Sequence, residues 1–215
     1  MMIRKCKISS IVACIIMIVL LTSGCTQLFE TATPDLDYDN TKIVLTPIDL
    51  FDGDAAKFKL FLGSMTGAFK LRYEGKKPNI KLNIDLWKNG EKADSYGSVG
   101  DLFFSSEEGN DVEVIISIDT IGLEGSEEFK MIKVGTIHDT GSGVGKFTIP
   151  WDKKMNLSGL IHYNEPITFP ANGDVPVWGM QATSTNSIRT ADFSSESLGS
   201  LEWAIIFTLS FEDEI

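Results

Sequence analysis

Asp139 is the carboxylate whose sequence neighbours most suggest catalysis. It opens the string Asp139-Thr140-Gly141-Ser142, and the residues from Val134 to Ile137 before it suit a β-strand. The sequence therefore predicts a carboxylate on a short polar turn directly after a strand. A carboxylate in that position can activate a water molecule for hydrolysis when a second carboxylate beside it shares one proton.

The same four residues resemble the signature of aspartic proteases. The resemblance implies two such strings, supplied by two halves of one chain or by two subunits. This chain has no second Asp-Thr-Gly or Asp-Ser-Gly, so only a homodimer could complete the pair, and His138 stands where the family has an apolar residue. A polar turn explains the string as well, since Asp, Gly and Ser are common turn residues. A homodimeric protease using Asp139 is the alternative, and the leading expectation is a protein that is not an enzyme and has no catalytic residue.

Three tryptophans are candidates for ligand binding. Trp87 shares the polar phase of its predicted strand, and Trp151 and Trp178 lie in turn-rich surroundings. Exposed indole rings can stack on sugar rings, so a carbohydrate-binding surface formed by these residues is one alternative. Packing of the rings in the protein interior, which is common for tryptophan, is the favoured interpretation.

Histidine and cysteine are too scarce to predict a metal centre. His138 and His162 are the only histidines, and neither has a carboxylate at a recognised ligand spacing. The three cysteines, Cys6, Cys14 and Cys25, all lie in the first 25 residues. The chain after Cys25 therefore offers no thiolate ligand, disulfide or thiol nucleophile, and we expect no metal and no cofactor.

The first 24 residues have the order of an export signal. Arg4, Lys5 and Lys7 precede an apolar run at residues 11–21, and Thr22-Ser23-Gly24-Cys25 follows it. A run of this length is short for a transmembrane helix, which needs about 20 apolar residues. Together with Leu21, the four residues at 22–25 resemble the lipobox of bacterial lipoproteins, although Thr22 stands where that family usually has Leu.

The lipobox resemblance implies a lipid anchor on Cys25. In that family the cysteine thiol receives a diacylglyceryl group, and a peptidase then removes the residues before it, here 1–24. Two acyl chains would give stable attachment to a membrane, which becomes a partner of the protein through Cys25. The resemblance also implies a bacterial cell envelope, either the outer face of the cytoplasmic membrane or an outer membrane if the cell has two. The resemblance does not identify a protein or glycan partner.

The chain after residue 24 is strongly acidic. Three of the 19 Lys and Arg residues, and none of the 30 Asp and Glu residues, lie in the signal, which leaves a formal charge of −14. Nucleic acids are bound mainly through Lys and Arg, so this charge argues against a nucleic-acid partner.

Alternation of apolar and polar residues predicts the strands that position these groups. Residues 80–86 and 201–211 alternate with period two, and Asn89-Gly90 suits a tight hairpin turn. The sequence predicts one all-β domain at residues 42–215, behind a flexible linker at residues 25–41. We expect an antiparallel β-sandwich, immunoglobulin-like or similar, with eight to ten strands.

Two segments are harder to interpret. Residues 54–62 suit either a helix capped by Asp54 or a strand, and the strand is narrowly favoured because residues 63–67 would then form a hairpin connection. Residues 126–134 suit a strand, or a helical turn capped by Ser126. Residues 102–104 are predicted to form a short strand.

Overall fold

Eleven antiparallel strands make up most of residues 41–104, 110–122 and 128–212, which are the residues that the computed structural model describes. The predicted signal at 1–24, Cys25 and the linker up to residue 40 lie outside them. The strands are β1 (Lys42–Ile48), β2 (Thr66–Glu74), β3 (Asn79–Lys88), β4 (Glu91–Val99), β5 (Asp111–Ile121), β6 (Phe129–His138), β7 (Gly141–Pro150), β8 (Leu157–His162), β9 (Ile167–Pro170), β10 (Asp174–Thr183) and β11 (Trp203–Glu212).

The strands form two sheets that pack face to face. One has six strands in the order β7-β6-β5-β2-β1-β9, and the other has five in the order β4-β3-β11-β10-β8. Alternate residues point between the sheets and are fully buried there, for example Leu71, Val114 and Ile132 from the first sheet and Ile84 and Ile205 from the second. The predicted antiparallel β-sandwich is confirmed.

β11 is the central strand of the five-stranded sheet, as its apolar sequence predicts. It pairs with β3 on one side and with β10 on the other. Trp203, Ile205, Phe207 and Leu209 point into the sandwich, while the outward residues Ala204, Ile206 and Thr208 are also buried. Continuous burial explains why both phases of this strand are apolar.

A second, smaller cluster covers the outer face of the five-stranded sheet. The segment after β10 returns across that face through the short helix α2 (Ser195–Gly199), whose N-terminus is capped by the Ser194 hydroxyl. Leu198 and Leu201 from this segment pack on Ala204 and Ile206 of β11. This face of the sheet is therefore shielded from solvent without a third sheet.

Residues 54–62 are helical, so the prediction of a strand is wrong. A 3-10 helix at Gly53–Phe58 continues into α1 (Lys59–Leu62). Asp52, rather than the expected Asp54, caps the start by accepting a hydrogen bond from the Gly53 amide at 2.7 Å, and Gly63 ends the helix with φ of 78°. None of these residues is buried. The alternation of apolar and charged residues in this segment therefore does not come from packing against a sheet.

The other two segments differ in their outcome. Residues 129–134 confirm the strand prediction as part of β6, whereas residues 126 and 127 lie outside the described part of the chain. Residues 102–104 form a turn instead of a strand, although Leu102 and Phe103 are buried in the core. No helix in residues 41–104, 110–122 and 128–212 has the length and hydropathy needed to span a membrane.

Candidate ligand-binding site

The sandwich has an opening beside β1, because the edge strand β9 is only four residues long. β9 pairs with β1 only from Lys42 to Leu45, and its first residue, Ile167, lies opposite Leu45. The last three residues of β1, Thr46 to Ile48, pair only with β2. Pro47 has no amide N–H to leave unpaired, so it suits a position without a neighbouring strand.

A cavity of about 410 Å³ lies at this opening. Its walls come from the end of β1 with the loop after it (45 and 47–51), the start of β2 (66–69), β8 with the turn after it (160 and 162–164), and β10 (177–178). The six-stranded sheet provides the first two groups and the five-stranded sheet provides the others. The cavity is therefore formed where the two sheets meet.

Trp178 forms part of the inner wall of the cavity. Its side chain is only 2% exposed and packs edge-on against Phe207, with ring centroids 5.4 Å apart. A bulge in β10 between Pro176 and Trp178 shifts the pairing with β11 by one residue, and both Val177 and Trp178 are buried in the core. The indole face is occupied by the core, so this ring is not an exposed stacking surface of the kind that carbohydrate binding would need.

Gly67 makes room for the indole ring on the opposite sheet. A Cβ atom built on Gly67 would lie 2.4 Å from Trp178 Nε1, and real side chains essentially never approach that closely. The two sheets reach this spacing only because position 67 has no side chain.

Replacing Gly67 with alanine is expected to destabilise the protein, because the ring of Trp178 would have to move within a packed core. The expected loss is about 1–3 kcal/mol of unfolding free energy, measurable by guanidinium denaturation. Gly135→Ala is the matched control, since a Cβ there meets no heavy atom closer than 3.9 Å. Equal stability of the two variants would contradict this account of Gly67.

The mouth of the cavity carries several hydrogen-bonding groups. Asp49 accepts a hydrogen bond from the amide of Phe51 at 2.9 Å, which fixes the loop that leaves β1. His162 Nδ1 lies 3.0 Å from the carbonyl oxygen of Tyr163. In the tautomer that donates this bond, Nε2 of His162 is left as an acceptor. Asn164 adds an exposed amide.

Tyr163 is a neutral hydrogen-bond donor at this mouth. Its hydroxyl donates to the carbonyl of Pro176 at 3.4 Å, and its ring contacts Phe193. Burial raises the pKa of the Tyr163 phenol, and the negative charge of Asp192 raises that pKa further. The hydroxyl therefore stays protonated up to pH values above those at which an ordinary tyrosine ionises.

The lining is suited to binding a small ligand through apolar contacts and a few hydrogen bonds. Leu45, Phe69 and Val177 supply buried apolar walls, whereas Asp49 is the only carboxylate among the described residues that line the cavity. Elsewhere in the described ranges, no group of three or more His, Cys, Asp or Glu residues is placed to hold a metal ion.

Trp87 and Trp151 lie away from the cavity, so the structure does not bring the three tryptophans together. Trp87 packs on the outer cluster of the five-stranded sheet, and its Nε1 is buried with no hydrogen-bond partner among the described residues. Trp151 follows β7 at the opposite edge of the six-stranded sheet from β9. Its ring packs edge-on against Trp203, with centroids 4.9 Å apart, and the Lys130 ammonium lies 3.8 Å from its centre.

Asp139 occupies an exposed turn. Asp139 and Thr140 form the two-residue connection between β6 and β7, and His138 pairs with Gly141 across it. Such a turn accounts for the polar residues and the glycine of the string. A catalytic pair at this position would need a second chain, so the protease alternative stays a prediction.

Trp178 is the one residue of the cavity that the sequence indicates as a candidate for ligand binding. Asp49 and Phe51 are separated from His162 and Tyr163 by more than 100 positions, and no local motif links them. The comparisons with known proteins add no further guide, since no protein-family model, curated protein or solved structure matches the chain.

Proposed function

We propose that this protein is a lipid-anchored, extracytoplasmic binding module of a bacterial cell envelope, without catalytic activity of its own. The cavity between β1 and β8 is the observation that supports a binding function. The resemblance of residues 21–25 to a lipobox supports the location, and Cys25 would carry the anchor.

The size and chemistry of the cavity support a small amphipathic ligand. Small-molecule sites in proteins commonly have volumes of about 300–1,000 Å³, and 410 Å³ falls in that range. The apolar walls favour a ring or short alkyl body. Asp49, His162 and Asn164 favour a polar head that can donate hydrogen bonds, and the charge of Asp49 favours a cationic one.

Binding can be tested with three small probes that differ in their polar group: phenethylammonium, phenylacetate and N-acetylglucosamine. Phenethylammonium is expected to bind more tightly than phenylacetate by on the order of fivefold, which corresponds to about 1 kcal/mol for an exposed charge pair. Asp49→Asn should remove that preference. Saturation-transfer NMR and calorimetry would measure both effects.

A cavity-blocking variant separates this site from non-specific binding. Leu50→Trp places a large side chain at the mouth and is expected to abolish binding of the probes, whereas Leu157→Trp, exposed on the edge strand β8, should not. Binding that survives Leu50→Trp would refute the cavity as the site. Binding of N-acetylglucosamine alone would favour the carbohydrate-binding function that the tryptophans predict.

A further inference from the structure

The helical segment between β1 and β2 ends in an exposed apolar tip, defined as Lys57–Leu62. Leu60 is 90% exposed, Phe61 is 83% exposed and Phe58 is 52% exposed, and no residue of the segment is buried. The other large exposed hydrophobic residues in the described ranges, such as Phe104 and Val144, are separated along the chain. Isolated exposed hydrophobic residues are common on soluble proteins, whereas a contiguous group is typical of an interaction surface.

The two lysines of this tip lie beside phenylalanine rings. Lys57 Nζ lies 5.5 Å from the centre of the Phe58 ring, and Lys59 Nζ lies 5.7 Å from that of Phe51. Neither lysine forms an ion pair within the described part of the chain. The tip itself contains no carboxylate, whereas Asp52 and Asp54 stand at the other end of the helical segment, so its cations lie beside the apolar side chains.

This combination fits a lipid surface. Exposed Leu and Phe side chains can enter the boundary between headgroups and acyl chains, while lysines extend toward the headgroup phosphates. The tip is exposed along its whole length, and a fluid bilayer can adapt to such a surface without a matching groove. The acidic remainder of the domain would be repelled by anionic lipid, so the tip is the part suited to face a membrane.

The length of chain before β1 allows the tip to reach the membrane that would hold the anchor. The 16 steps from Cys25 to Thr41 can span at most about 55 Å when extended. The seven residues of β1 cover about 24 Å, and the tip follows the far end of that strand. The linker is therefore long enough for the domain to turn its tip toward the same bilayer.

We propose that the apolar tip inserts into the interfacial region of the membrane to which the protein is anchored, giving the domain a second point of attachment. This inference rests on the proposed lipid anchor at Cys25. Leu50 and Phe51 line the cavity and lie in the same β1–β2 connection as the tip. Insertion would hold the cavity mouth close to the lipid surface, where amphipathic molecules partition.

The test uses the exported and processed protein, purified from membranes and reconstituted into vesicles. Leu60→Cys is labelled with the environment-sensitive fluorophore NBD, and Val144→Cys, exposed on the edge strand β7, is the matched control. In vesicles of phosphatidylcholine with phosphatidylglycerol, we expect a blue shift, a severalfold rise in emission, and quenching by spin-labelled lipid at position 60 only. Lys57→Glu combined with Lys59→Glu should reduce this response.

The outcomes separate the tip from the anchor. Mass analysis of the same preparation reports whether Cys25 is acylated. Water-like emission from position 60 on an acylated protein overturns the inference and leaves the anchor intact. Lipid quenching at position 60 without acylation supports the tip and refutes the anchor. A blue shift that depends on protein concentration and not on lipid would assign the tip to contact with a second copy of the chain, which also overturns the inference.

Discussion

Ending the chain at Ser200 is expected to abolish folding, because it removes the strand that joins the two halves of the five-stranded sheet. β11 pairs with β3 over its whole length and with β10 over most of it. Without it, β4-β3 and β10-β8 are two separate pairs, and two-stranded ribbons are marginally stable in water. The lost side chains also include Trp203, Ile205, Phe207 and Leu209 from the main core.

A graded version of the same experiment uses point variants in this strand. Phe207→Ala is expected to cost about 3–5 kcal/mol, a large share of the 5–15 kcal/mol by which domains of this kind are usually stable. Val144→Ala, at an exposed position, should change stability by no more than about 0.5 kcal/mol. Guanidinium denaturation followed by circular dichroism measures both. A soluble chain ending at Ser200 that still unfolds cooperatively would contradict the central role of β11.

Replacing Cys25 with alanine is expected to stop maturation of the protein altogether. In the lipoprotein family that residues 21–25 resemble, the peptidase acts after the cysteine has been acylated. The variant should therefore keep its first 24 residues and carry no acyl group. The normal protein should begin at Cys25 and show the added mass of the lipid. Two acyl chains would bind stably, because each buried methylene contributes about 0.8 kcal/mol.

Cys14→Ala is the matched control for this experiment. It removes a thiol from the apolar run without touching the lipobox-like residues, so processing and acylation should be unchanged. Intact-mass analysis of the membrane fraction distinguishes the species. A normal protein that retains its leader, or that begins at residue 25 with a free thiol, would refute the proposed anchor.

The fold could be predicted from the sequence where strands are buried on one or both faces. β3, β5 and β11 show regular apolar spacing because one row of each strand fills the core. The sequence predicts no strand at β8 or β9, and only the Asn89-Gly90 turn indicates β4; each of these three strands lies at the edge of its sheet. An edge strand needs few buried side chains, and β4, for example, reads Glu-Lys-Ala-Asp-Ser, so its sequence carries little periodic signal.

The candidate site could not be predicted in the same way. Its existence depends on where β9 stops along β1, and that register is a property of the whole sheet rather than of any local pattern. Trp178 is a buried wall of the cavity that needs Gly67 opposite it, and neither the turn-rich sequence around Trp178 nor its residue type indicates that pairing. The strand predicted at residues 54–62 is wrong because the apolar side chains of this segment are not packed against the core. Their spacing is therefore typical of neither a strand nor a core helix.

The short length of β9 has a consequence for how the protein could diversify. Extending this strand opposite Thr46 would narrow the opening, and pairing fewer of its residues with β1 would enlarge it, without altering a buried side chain of β11 or β3. Insertions and deletions in the connection before β9 fall on the surface, where chains tolerate them best. Descendants of this sequence could therefore acquire pockets of different depth by changes in loop length alone, while the scaffold stays the same.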